Sequence, residues 1–208
     1  MKNDKIPTLN ELMAKITPEN QHDEVGFGTV PITVKIKRLR SDAVVPKYAY
    51  DGDAGFDLVA VKDVIIEPGE TKLVPTGLAV ELPPGYELQI RPRSGVTLKT
   101  KLRVQLGTVD SSYRGEIGVI IDNIAPVYLA NGWGPALKGK AYLIDGSKTD
   151  GNFVHGTYII RKGDRIAQAV ISAVPRVSFV EVDELSESKR GTGGFGSSGV
   201  KANKEGSQ

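Results

Sequence analysis

The 208-residue chain contains no cysteine. That excludes disulfides, thiolate zinc sites and a cysteine nucleophile, and leaves stability to a packed core or to oligomerisation. Aromatic residues are sparse at 6%, with a single tryptophan, Trp133, and two histidines, His22 and His155. The histidines are isolated, and no cluster of histidines and carboxylates has the spacing of a protein-built metal cage. No stretch approaches the ~20 apolar residues of a membrane span, and the first residues lack the apolar run of a signal peptide, so a cytoplasmic protein is expected. An excess of one charge is missing too: 27 basic against 25 acidic residues leave +2. Nucleic-acid and membrane binders usually concentrate basic charge on one surface, so neither is expected as a direct partner. A local run such as Lys35-Ile-Lys-Arg-Leu-Arg40 reads as the solvated face of an edge strand, where charge discourages edge-to-edge pairing.

What the chain does have is punctuation: 24 glycines and 12 prolines. They separate short runs rich in valine and isoleucine, among them Asp63 to Gly69, Leu73 to Leu82, Tyr86 to Arg91, Glu116 to Asp122, Thr157 to Ile160 and Arg165 to Val174. Pro83-Pro84-Gly85, Glu67-Pro68-Gly69 and Lys162-Gly163-Asp164 supply sharp reversals. Many short strands at close spacing predict an all-β fold, a jelly-roll-like β-sandwich or barrel. Helix periodicity is confined to the N-terminus, where Thr8 and Glu11 form a capping box and Leu9, Leu12, Met13 and Ile16 share one face. Residues 1–31 read as an extension of helix and linker, 32–186 as the β-rich core, and 187–208 as a glycine-rich arm with a polar tail. Within the core, residues 124–156 form a connection of over thirty residues, which is either functional or an elaborated hairpin. It carries Trp133, which reads either as a packed residue or as part of a partner-binding loop.

The chemistry concentrates in five short segments. Gly107-Thr-Val-Asp-Ser-Ser-Tyr-Arg-Gly-Glu-Ile117 places Asp110 and Tyr113 on a polar turn between apolar runs, so the carboxylate projects into a cleft rather than a core. Such an aspartate is either a base or a turn residue satisfying its own backbone. Pro92-Arg-Ser-Gly95 joins a fixed-φ residue to a cationic fork, a hydroxyl and a flexible glycine, a set suited to phosphate oxygens. Gly163-Asp-Arg-Ile-Ala-Gln168 offers a side-chain amide in Gln168, with Asp164 and Arg165 reading as turn or subunit contacts. Ala54-Gly-Phe-Asp-Leu58 contributes Asp57. Arg190-Gly-Thr-Gly-Gly-Phe-Gly-Ser-Ser-Gly199 contains a literal G-x-G-x-x-G, but it opens no βαβ unit and only twelve residues follow Gly196, so a dinucleotide fold is excluded.

Taken in chain order, from about Val34 to Val200, the five segments resemble the motifs of the trimeric dUTPase family, which hydrolyses dUTP to dUMP and pyrophosphate. The resemblance implies a homotrimer with three sites between subunits, and Mg²⁺ held chiefly by the substrate phosphates and water. It implies that Asp110 orders the attacking water. Arg93, Ser94, Gly95 and Gln168 would touch the phosphates, Arg190 would reach the γ-phosphate, and Ser197 and Ser198 would wrap the phosphates from a closing arm. Phe195 would stack on uracil, Tyr113 would pack under the sugar and reject a ribose hydroxyl, and Thr108, Val109 and Gly118 would receive the base through main-chain groups. Asp57 would lie near the metal's water shell. Many relatives carry asparagine where this chain has Val104, and Gln105 or the backbone supplies that contact instead. Two other classes remain in view. One is a dCTP deaminase of the same superfamily, against which the Asp110 to Tyr113 spacing argues. The other is a nucleotide-responsive binding protein whose N-terminal helix and 124–156 insertion engage a protein partner.

Overall fold

The structure, a computed structural model, describes residues 32–132 and 134–194. The predicted N-terminal helix, Trp133, Phe195, Ser197 and Ser198 lie outside the described residues. Two units are distinguished, one ending at Val174 and one beginning at Pro175. The second, through Gly194, contains turns but no strand or helix among its described residues.

Among its described residues the first unit is an all-β fold of thirteen strands. In chain order they are β1 (Lys35–Arg38), β2 (Phe56–Val59), β3 (Val64–Ile66), β4 (Thr71–Pro75), β5 (Leu78–Glu81), β6 (Tyr86–Arg91), β7 (Leu102–Val104), β8 (Gly107–Val109), β9 (Gly118–Asn123), β10 (Lys138–Leu143), β11 (Lys148–Val154), β12 (Tyr158–Ile160) and β13 (Arg165–Ala173). They form open sheets in the orders β1-β5, β11-β10-β12-β3, β2-β13-β6-β8 and β4-β9-β7. Alternation drives the packing: in β9, Val119, Ile121 and Asn123 point inward while Ile120 faces out. One apolar cluster draws Leu58, Ile66, Val74, Leu88, Val119, Ile160 and Ile166 from separate strands, which joins the sheets around a common core. Burying each such side chain contributes about 1.5–3 kcal/mol.

Three features depart from or extend the sequence expectation. The run Leu73 to Leu82 is two strands, not one. Thr76 donates its hydroxyl to Ile117 O at 2.6 Å, and Gly77 takes φ +68° where a Cβ would meet the side chains of Ala43 and Val61 at 2.9 and 3.0 Å. A helix, α1 (Ser94–Lys99), follows β6, although the sequence argued for a helix at the N-terminus alone. Its Gly95, Val96 and Thr97 are poor helix formers. Tertiary burial of Val96 holds it, and locally the amide and hydroxyl of Thr100 both donate to Val96 O, at 3.0 and 2.6 Å, closing its last turn. The 124–156 connection resolves as an elaborated hairpin, β10 against β11. Its tip is tied by the Ser147 amide and hydroxyl donating to Asp145 Oδ1 at 2.8 and 2.6 Å.

Candidate active site

Strand register assembles the first half of the site. Strand β13 lies between β2 and β6, and Gln168 stands opposite both Asp57 and Arg91. This puts Asp57, Gln168 and the Pro92-Arg93 exit of β6 level across three strands. Gly55 lets β2 close on β13, because a Cβ there would sit 2.9 Å from Ala169 O and 3.3 Å from Gln168 Oε1. The polar groups then tie together. Asp57 Oδ1 pairs with Arg93 Nε at 2.8 Å and Oδ2 with Arg165 Nη1 at 3.1 Å. Arg93 Nη1 donates to Arg165 O at 2.9 Å, and Gln168 Nε2 donates to Pro92 O at 2.9 Å. The side chains of Arg93 and Asp57 are 29% and 25% exposed, so the pair is neither a freely solvated contact nor a buried one. Above it opens a cavity of about 400 Å³ lined by Arg93, Ser94, Gly95, Arg165 and Gln168, with Lys47, Tyr50 and Asp53 from the loop before β2. Two guanidinium groups held by a shared carboxylate, beside a hydroxyl and an amide, can receive an anionic chain of phosphates through charge-assisted bonds.

The second half is the hairpin after β8. Tyr113 N donates to Asp110 O at 3.0 Å and Arg114 Nη1 to Ser111 O at 2.6 Å, which close the turn. The Tyr113 ring folds over Gly115, where any side chain would collide with it, and its hydroxyl donates to Glu116 O at 3.1 Å. Asp110 is exposed, and no hydrogen bond or ion pair among the described residues engages its carboxylate. Thr108 is exposed, Val109 is buried, and Gly118 is half-buried at the start of β9. Gln105 directs its amide to Asp122, which also accepts the Thr71 hydroxyl at 2.7 Å.

The two halves do not meet within one chain. Strand β8 runs antiparallel to β6, with Gly107 opposite Ile90 and Val109 opposite Leu88. Asp110 therefore continues toward the start of β6, level with Glu87, while Arg93 follows its other end. Six residues of extended chain separate those levels by roughly 20 Å. No residue of the hairpin lines the Arg93 cavity.

Arg190 belongs to the second unit, where its Nε donates to Gly193 O at 2.7 Å. Sequence reasoning missed Lys47, Tyr50 and Asp53, which line the cavity from an irregular loop. Arg165, read from sequence as a turn or subunit residue, also lines the cavity.

The dUTPase family model matches residues 41–131 and 151–199. The chain belongs to the dUTPase family. It is 44% identical over 169 residues to the deoxyuridine 5′-triphosphate nucleotidohydrolase of Gloeothece citriformis (strain PCC 7424), covering 80% of this chain and 97% of that one. Among solved structures it is similar to a Staphylococcus bacteriophage 80alpha dUTPase with dUPNHPP, at TM-score 0.74 and 35% identity over 81% of this chain and 99% of that one. It is also similar to the dUTPase of phage phi11 of S. aureus, at TM-score 0.66 and 32% identity, covering 73% and 97%. Structures of the phi11 dUTPase are described as revealing a structural Mg(II) ion and a species-specific insert. As a dUTPase the chain hydrolyses dUTP, and the dCTP deaminase alternative falls away. Residues 132–150, the heart of the β10–β11 hairpin, lie outside the family match.

Proposed function

We propose that the Arg93 cavity of one subunit and the Asp110 hairpin of another form each dUTP site of a cytoplasmic homotrimer. The observation that carries this is the opposed placement of Arg93, just after β6, and Asp110, just after β8. One triphosphate cannot span both within a chain. Strands β4 and β9 also present Leu73 and Ile120 outward as paired neighbours, 63% and 46% exposed, an apolar pair suited to contact with another copy.

In this reading Arg93, Ser94, Gly95 and Gln168 hold the α- and β-phosphates, and Asp57 keeps the two guanidinium groups aimed. Asp110 accepts a proton from the water as its oxygen attacks the α-phosphorus, and pyrophosphate leaves from the opposite side, a reaction governed by positioning and electrostatics. Thr108, Val109 and Gly118 receive uracil, and the Tyr113 ring lies under deoxyribose. Arg190 reaches the γ-phosphate, while Phe195, Ser197 and Ser198 close the arm over base and phosphates. Gln105, already engaged with Asp122, leaves base recognition chiefly to the backbone. Mg²⁺ fits as a partner of the phosphates: among the described residues no three His or carboxylate groups converge into a cage. Each oxygen of Asp57 accepts one arginine and keeps a lone pair for a metal-bound water. When bound, the ion supplies charge neutralisation of the triphosphate.

A second reading concerns the hairpin outside the family match. The phage 80alpha dUTPases are described as controlling transfer of virulence genes by a G protein-like mechanism. By that likeness the 124–156 insertion, with the N-terminal segment, carries a nucleotide-responsive contact to a protein partner. Replacing residues 144–147 with two glycines, or removing residues 1–30, then changes what the protein captures from its source cell while leaving turnover intact. An unchanged capture profile would remove this reading. The primary reading is tested by pyrophosphate release from dUTP, dTTP, dCTP and UTP with Mg²⁺, alongside solution mass. Release from dUTP alone by a trimer is expected, and turnover by a monomer would contradict it.

A further inference from the structure

The geometry points to Lys47 as a further substrate residue, one that supplies unshared positive charge to the triphosphate. This deepens the reading that the Arg93 cavity holds the phosphates, and it rests on that reading. The cavity is lined by three cations, Lys47, Arg93 and Arg165, and by two carboxylates, Asp53 and Asp57. Both arginines share Asp57, so part of their charge is already offset. Asp53 is turned to its own loop, accepting the Tyr50 amide at 2.9 Å. Among the described residues Lys47 is the cation of this cavity that enters no ion pair, and the residue is exposed. A triphosphate brings more negative charge than two half-neutralised arginines can answer, which favours recruiting an additional ammonium at the mouth.

The loop that carries Lys47 is anchored rather than loose. Pro46 before it and Tyr48 after it line an apolar groove with Val45, Phe56 and Leu88. The Tyr48 ring meets the Phe56 ring edge-on, with centroids 5.6 Å apart and planes at 88°. Phe56 is the neighbour of Asp57 in β2, so the lysine's backbone is fixed to the same strand that aims the arginines. A lysine on a long stem suits this place, because it contributes a point charge to whichever phosphate oxygen approaches, without the bidentate geometry of arginine.

The test compares Lys47→Gln, Lys47→Arg, Arg93→Gln and, as an exposed lysine outside the cavity, Lys62→Gln. The readouts are steady-state kinetics with dUTP and competitive inhibition by inorganic tripolyphosphate. Lys47→Gln is expected to raise KM for dUTP about three- to tenfold and to weaken tripolyphosphate inhibition by a similar factor, with kcat within about twofold, since an exposed charge-assisted contact contributes modestly. The gap should shrink as salt rises. Lys47→Arg should recover most of the loss, and Lys62→Gln should match the parent. If Arg93→Gln shifts both readouts while Lys47→Gln leaves both unchanged, the assignment of Lys47 is overturned and the cavity reading stands. If neither variant shifts them, the cavity does not hold the phosphates and both readings fall. A fall in kcat with KM unchanged for Lys47→Gln would also overturn the proposal.

Discussion

The Arg93 cavity and the Asp110 hairpin both adjoin the β2-β13-β6-β8 sheet and are built in opposite ways. In the cavity, side chains from β2, β6 and β13 are bonded to one another before any substrate arrives: Asp57 to two arginines, Arg93 to a carbonyl, Gln168 to Pro92 O. In the hairpin, the backbone turn is closed, but the Asp110 carboxylate stands exposed and unengaged among the described residues. In the proposed site, grip is preorganised within a chain, whereas Asp110, the group proposed to activate water, waits for a surface from elsewhere. Preorganised charge costs no reorganisation when the phosphates bind, while an exposed base gains its environment only on assembly.

The comparison can be broken most severely at the hairpin. Asp110→Asn should lower turnover by a factor of ~10² or more while dUTP binding stays within about tenfold, since a general base typically contributes 10²–10⁴-fold. Near-parent turnover would dismiss Asp110 as the base. Changing the cavity should move the other parameter: Asp57→Asn frees both arginines and should raise KM for dUTP by about tenfold, the weight of one lost charge-assisted interaction. An unchanged KM would mean the arginines aim themselves. Tyr113→Ala should leave dUTP turnover largely in place but narrow the preference for dUTP over UTP by about tenfold, because a steric gate against one hydroxyl discriminates on that scale.

The smallest effect lies away from both halves, at the turn after β12. The Lys162 amide and then Arg161 hold Asp63 below the ordinary carboxylate range, and Arg40 and then Lys162 do the same for Asp42. A depressed folded-state value means stability that is present above the unfolded value of about 3.9 and is lost as pH falls through the lower folded one. Burial moves Asp164 in the same turn the other way, so its contribution is lost as pH rises through its raised value. Thermal denaturation from pH 6 to pH 3 should therefore show a shallower acid decline for Asp63→Asn than for the parent, with activity at neutral pH unchanged. Equal slopes would show that these exposed ties do not contribute to stability.

Much of this was legible in the sequence because strand chemistry is local. Valine and isoleucine alternation, interrupted by glycine and proline, located most of the strands, and the motif residues Asp57, Arg93 and Gln168 do converge. Less legible were features fixed by distant partners. Gly77 breaks a strand because of Ala43 and Val61, neither of which is near it in sequence. Helix α1 forms from poor helix formers because Val96 has a core to enter. Lys47 carries no local signature, since it reaches the cavity through an irregular loop whose path depends on Phe56. The separation of Asp110 from Arg93 required the β6–β8 register, which no motif spacing encodes.

That separation is the central claim, and subunit complementation tests it most directly. Asp110→Asn and Arg93→Gln chains, each impaired alone, would be unfolded together and refolded as mixed trimers, and pyrophosphate release from dUTP would be measured. If the two groups come from different subunits, random mixing restores about a quarter of the parent rate, the chance that a site receives one intact copy of each. If the mixture is no faster than the separate variants, Asp110 and Arg93 serve the same site from the same chain, and the account fails.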